Sequence, residues 1–182
     1  TAPSLHAGNR AGQFSFWASA NHQDSHSQPL SYVTNATFPA NTTGGFSEKN
    51  KLGAAAPVVG ASGLLHTRMT NAKFKAAYDF APTLRAAYTF GLWRNDADAT
   101  AETYLRNAAG QPTFAGLAGF ASGTYNLFQQ HTAHSLSLRT DTKGDFDLEA
   151  AASVYRMDRD KQTSPTTASA TAATTPAFGA AG

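Results

Sequence analysis

His22, Asp24 and His26 are spaced two apart, directly after a run in which apolar residues recur at every second position. Alternate residues of an extended segment share a face, and imidazole with carboxylate is a donor set for a transition metal or an iron chelate. These three are the candidate metal ligands of the chain, against the simpler reading that they are solvated loop residues. His131 and His134 stand at odd spacing, hence on opposite faces of a strand, and form no joint site. With six His and abundant Ser, chance Ser/His/Asp arrangements are expected, and no triad or carboxylate pair is specific enough to assign catalysis. We expect no enzymatic activity and no cofactor. The Gly-rich stretch 110–123 lacks the Lys-Ser/Thr ending of a phosphate-binding loop, and is expected to be a flexible loop.

The elements that would position these residues are strands. In 72–80, Phe74, Ala76, Tyr78 and Phe80 alternate with Lys73, Lys75, Ala77 and Asp79. From Leu84 to Trp93 the even positions are Leu84, Ala86, Tyr88, Phe90 and Leu92, with Arg85, Thr89 and Trp93 among the odd ones. Leu136, Leu138 and Thr140 oppose Ser135, Ser137, Arg139 and Asp141, and Phe146, Leu148, Ala150, Ala152 and Val154 oppose Asp145, Asp147, Glu149, Ser153 and Tyr155. Upstream, Phe14, Phe16, Ala18 and Ala20 alternate with Gln13, Ser15, Ser19 and Asn21. Period two predicts five strands, near 12–22, 69–80, 84–94, 130–141 and 145–156, each with one apolar and one polar face. A soluble antiparallel sandwich would alternate in the same way.

Connection lengths separate the two cases. Ala81-Pro82-Thr83 and Thr142-Lys143-Gly144 predict tight hairpin turns, whereas 23–65, 94–128 and the stretch after Arg156 are long. Structureless loops of that length are uncommon in compact soluble domains. Short turns at one end and long loops at the other are expected of outer-membrane barrels, with turns periplasmic and loops extracellular. Strands of about nine to eleven residues suit a tilted bilayer crossing. The spacing also predicts cross-strand pairs of opposite charge, Asp79 with Arg85 and Arg139 with Asp147, worth about 0.2–1 kcal/mol each.

Composition fits this frame. Of 182 residues 14% are charged, against about a quarter in ordinary globular domains. Cysteine is absent, which excludes disulfides and thiolate chemistry. The net charge of +2 is too small, and its basic residues too scattered, to indicate nucleic acid as a partner. No apolar stretch is long enough for a transmembrane helix, so any crossing is by strands. The opening segment has no secretory leader pattern, and residues 161–182, rich in Ala, Thr, Ser and Pro, are expected to be loop or disordered tail beyond a barrel region of 1–160. Five strands cannot close a barrel, so the chain is expected to be a fragment that ends inside an extracellular loop.

The run Gly12-Gln13-Phe14-Ser15-Phe16-Trp17-Ala18-Ser19-Ala20-Asn21-His22, continued by Asp24, Ser25 and Gln28-Pro29-Leu30-Ser31, resembles a barrel strand and outer loop of TonB-dependent outer-membrane receptors. Tyr78-Asp79-Phe80-Ala81-Pro82-Thr83-Leu84-Arg85-Ala86-Ala87-Tyr88-Thr89-Phe90 resembles one of their periplasmic hairpins. The resemblance covers most of 12–156, in style and spacing. It implies an antiparallel up-and-down transmembrane β-barrel of 22 strands in the bacterial outer membrane, with lipid, a plug domain and TonB as partners. It also implies energy-coupled import of an iron chelate or similar scarce nutrient. A non-transporting surface barrel or adhesin, and a soluble secreted β-domain, are the alternative classes.

Overall fold

Residues 1–164 are described by a computed structural model of the chain, and they are all-β. In chain order the strands are β1 (Ser4–Ala11), β2 (Phe14–His26), β3 (Ser31–Thr34), β4 (Thr43–Gly44), β5 (Phe46–Lys49), β6 (Ala55–Ala81), β7 (Leu84–Thr103), β8 (Leu105–Arg106), β9 (Tyr125–Thr140) and β10 (Glu149–Thr163). A short 3-10 helix at Ala118–Ala121 precedes β9. The main sheet runs β1-β2-β6-β7-β9-β10, with β3 and β5 also pairing with β6, and β4 pairs with β8 separately. Its strand order is open, with β1 and β10 at the edges, and among the described residues it does not close into a barrel. No helix of the described residues is long and apolar enough to cross a membrane.

Three expectations need correction. The first concerns strand number and length. The N-terminal segment is a strand, β1, joined to β2 by Gly12-Gln13. Gly12 has φ 60° and Gln13 a negative φ, the backbone of a type II′ hairpin turn. β1 escapes a hydropathy reading because Gly8, Asn9 and small alanines dilute its alternation. β6 is 27 residues long and β7 is 20, well beyond the expected 69–80 and 84–94.

The second concerns the hairpin expected at Thr142-Lys143-Gly144. β9 ends at Thr140 and β10 begins at Glu149, and the Thr140 amide donates to the Leu148 carbonyl at 2.8 Å. Thr140 therefore faces Leu148 rather than Phe146, which lies in the connection and is 89% exposed. Asp147 accepts from the Thr142 amide at 2.7 Å instead of pairing with Arg139, and Lys143, at φ 57°, carries the chain around. A side-chain cap on a loop amide has replaced the last rungs of the ladder. The other expected pair is present, with Arg85 3.5 Å from Asp79 and Arg10 joining the same carboxylate at 2.7 Å.

The third concerns the long connections, which are built rather than wandering. The chain divides into two compact units, the first comprising 1–24, 68–96 and 128–160 and the second 25–67, 97–127 and the described residues from 161. In the second unit Val33 of β3, Val59 of β6, Leu105 of β8 and Phe120 of the 3-10 helix form a buried core, with Phe114 and Leu117 packed on it. Phe120 meets Phe114 edge to face at 4.8 Å. Gly60 makes room for it, since a Cβ there would lie 2.4 Å from the Phe120 ring and 2.3 Å from the Glu102 carbonyl. The stretch 110–123, expected to be flexible, thus supplies the centre of this core. β10 continues through Thr163, past the expected boundary at 160, and the remainder of the expected tail, 165–182, lies outside the described residues.

Candidate functional site

The first unit is organised by strand parity. On β2 the residues Phe14, Phe16, Ala18 and Ala20 share one face, followed by His22 and Asp24. On β6, read from its turn end, Phe80, Tyr78, Ala76, Phe74 and Ala72 are followed by Thr70 and Arg68. On β7, Leu84 to Leu92 at even positions are followed by Arg94 and Asp96, and on β10, Ala150, Ala152 and Val154 by Arg156 and Asp158. Each strand changes from apolar to ionic at a corresponding distance from its turn. The register of β1 extends the pattern, because Leu5 faces Ala20, Ala7 faces Ala18 and Ala11 faces Phe14, while Arg10 faces Ser15 on the polar side. Asn9, opposite Phe16, is the polar member of the apolar row.

The large side chains of this apolar face are open to the surroundings, Phe80 at 59%, Leu136 at 58% and Val154 at 52% exposure. The stretch 72–80, at about 3.3 Å per residue and a tilt of about 40°, rises about 20–25 Å, close to the apolar band of outer-membrane barrels. The ionic residues that follow are cross-linked. Arg68 and Arg94 approach Asp96 at 3.2 and 4.0 Å, Arg156 approaches Asp158 at 3.5 Å, and Thr132 donates to Asp158 at 2.7 Å. Arg94 and Arg159 both lie over the Phe128 ring, at 4.9 and 5.7 Å, a favourable cation–π arrangement. The opposite face carries Trp93 against His131, whose Nδ1 hydrogen-bonds the Tyr155 hydroxyl. His134, on the apolar face, bonds the Tyr88 hydroxyl at 2.7 Å. The two histidines are separated as their spacing requires.

Of the sequence-derived metal candidates, Asp24 and His26 come together and His22 does not join them. His22 Nδ1 bonds Thr70 Oγ1 at 2.9 Å. All three lie within β2 or at its end, a strand rather than the loop mouth expected. The partner absent from the local spacing is His66 of β6. Ser27 and Leu65 exchange hydrogen bonds, amide to carbonyl at 2.8 Å and amide to hydroxyl at 3.0 Å. That register sets His26 opposite His66, and their rings stack at 3.9 Å with 13° between planes. One ligand atom from each of Asp24, His26 and His66 lies within 4.8 Å of the others. Nothing within 12–31 signals His66. Only the pairing of β2 with β6, decided by strand geometry over a separation of 40 residues, brings it in.

The second unit also presents an aromatic surface. Phe46 lies 6.3 Å from Tyr32 and 6.1 Å from Tyr104, with Tyr32 59% exposed. Partial burial, with the negative charge of Glu102 and the neighbouring Tyr32, holds the Tyr104 hydroxyl above its ordinary value of 10.0. Comparison of the chain with family models, with curated proteins and with solved structures finds no match.

Proposed function

We propose that this chain forms part of the wall of a TonB-dependent outer-membrane receptor, and that its ordered outer connections take part in capturing an iron chelate or similar scarce nutrient for import. The observation that carries the reading is the apolar face of the first unit. It is uncovered, about as tall as the apolar band of an outer-membrane barrel, and bounded on successive strands by linked charges. Exposed apolar surface of this extent is costly in water, and contiguous patches beyond a few hundred Å² mark contact with another apolar phase. Lipid satisfies it on every strand at once. The polar face, with Arg10, Asp79, Arg85, Trp93 and His131, is then the lumen side, where the parent barrel's plug would pack. The short connections 12–13 and 82–83 are then periplasmic turns.

A surface barrel that binds a partner without transport is the second reading, favoured by the aromatic surface of the second unit, where exposed Tyr32 and Phe46 adjoin half-buried Tyr104. The membrane premise is tested by folding the full chain with and without detergent. Detergent-dependent folding is expected, and a monodisperse, folded chain in plain buffer overturns the proposal. A plug domain in the parent reading frame separates the receptor from the adhesin.

A further inference from the structure

We infer that His26 and His66 form a binding site for a divalent transition metal ion, held by the cross-strand pairing of β2 with β6. Both imidazoles sit on one sheet face, directly opposite each other, their register locked by the two hydrogen bonds between Ser27 and Leu65. An ion about 2.0–2.1 Å from each ligand holds neighbouring donors no more than about 4.2 Å apart. A ring nitrogen of each histidine already lies within 4.8 Å of the other's, close to that limit. Two imidazoles suit copper(II), nickel(II) or zinc(II) in preference to calcium or magnesium, which take oxygen ligands. His26 is exposed, so an ion and its remaining waters have access.

The site differs from that expected of the local His-Asp-His spacing, because His66 of β6, rather than His22, lies against His26. Its ligands come from two strands rather than one. The pairing that forms it is indifferent to whether the apolar face meets lipid or detergent, so the inference does not rest on the proposed function.

The test is titration of the full, tag-free chain with copper(II) and zinc(II), in detergent or, if the chain proves soluble, in buffer. Binding is followed by calorimetry, and the copper complex by electron paramagnetic resonance. About one equivalent is expected to bind, with hyperfine splitting from two imidazole nitrogens. His26→Gln and His66→Gln should each weaken binding by on the order of 10- to 100-fold or more, the scale of effect seen even for supporting residues of metal sites. His22→Gln should leave it unchanged. Circular dichroism of each variant confirms that the sheet is retained. Absence of saturable binding overturns the inference, as does an affinity that survives His66→Gln or falls equally with His22→Gln.

Discussion

Adjacent alanines on β10 offer a controlled perturbation of the two sheet faces. Ala151 and Ala152 lie mid-strand, both are exposed, and the strand is at the sheet edge. Neither substitution to arginine therefore meets packing, and the loss of alanine's strand propensity is common to both. The two differ in face alone. Ala152 stands with Ala150 and Val154 on the apolar side, and Ala151 with Ser153 and Tyr155 on the other. An arginine near the bilayer midplane on the lipid face of a barrel costs roughly 2–4 kcal/mol, while lumen positions accept charge. At about 1.4 kcal/mol per factor of ten, Ala152→Arg should lower the folding equilibrium by about 30- to 700-fold, and Ala151→Arg should change it little. The assay is reversible urea unfolding from short-chain phosphatidylcholine vesicles, followed by the fluorescence of Trp17 and Trp93. Equal destabilisation by both substitutions, or by neither, would refute the assignment of faces.

In the second unit, Phe120 is fully buried in the core, so Phe120→Ala should cost about 3–5 kcal/mol. Hydrogen exchange should show lost protection at β3 and β8, and an unaltered pattern there would show that the core does not hold the unit. Gly60→Ala, which sets a Cβ against the Phe120 ring and the Glu102 backbone carbonyl, should give the same loss of protection. At the β9–β10 connection, hydrogen bonds from the Thr142 amide and hydroxyl hold the Asp147 carboxyl below its ordinary 3.8. A depressed carboxyl contributes order that is fully present above 3.8 and lost as pH falls through the lower folded value. The protection of the Thr142 amide against exchange, relative to its intrinsic rate at each pH, should therefore fall only below about pH 3.8, and Asp147→Asn should flatten that response.

Strand positions and faces were legible because alternation at Phe74–Phe80 and Leu84–Leu92 is a local property, fixed by side-chain direction. Asp79 with Arg85 was legible for the same reason, since a tight turn leaves few registers. Arg139 with Asp147 was not, because Asp147 instead accepts from the Thr142 amide and hydroxyl, and the pairing is shifted by two residues. β1 was hidden by its small residues, and becomes evident only when Leu5 and Ala7 are set against Ala20 and Ala18. The core around Phe120 and the stacking of His26 on His66 both depend on residues far apart in the chain. Hydropathy reports which side of a strand is apolar, but it carries no information on which distant strand lies beside it.

The open order of the sheet has its own consequence. Among the described residues, β1 and β10 each offer one row of peptide groups with no strand beyond them. In water such a row is solvated and inert enough to tolerate. In hydrocarbon each unpaired N–H and C=O costs several kcal/mol, so the solvent that favours the apolar face penalises the edges. Lipid thus turns two passive borders into adhesive ones. Insertion and lateral strand addition become a single event, and the bilayer itself acts as the agent that selects for a completed ring.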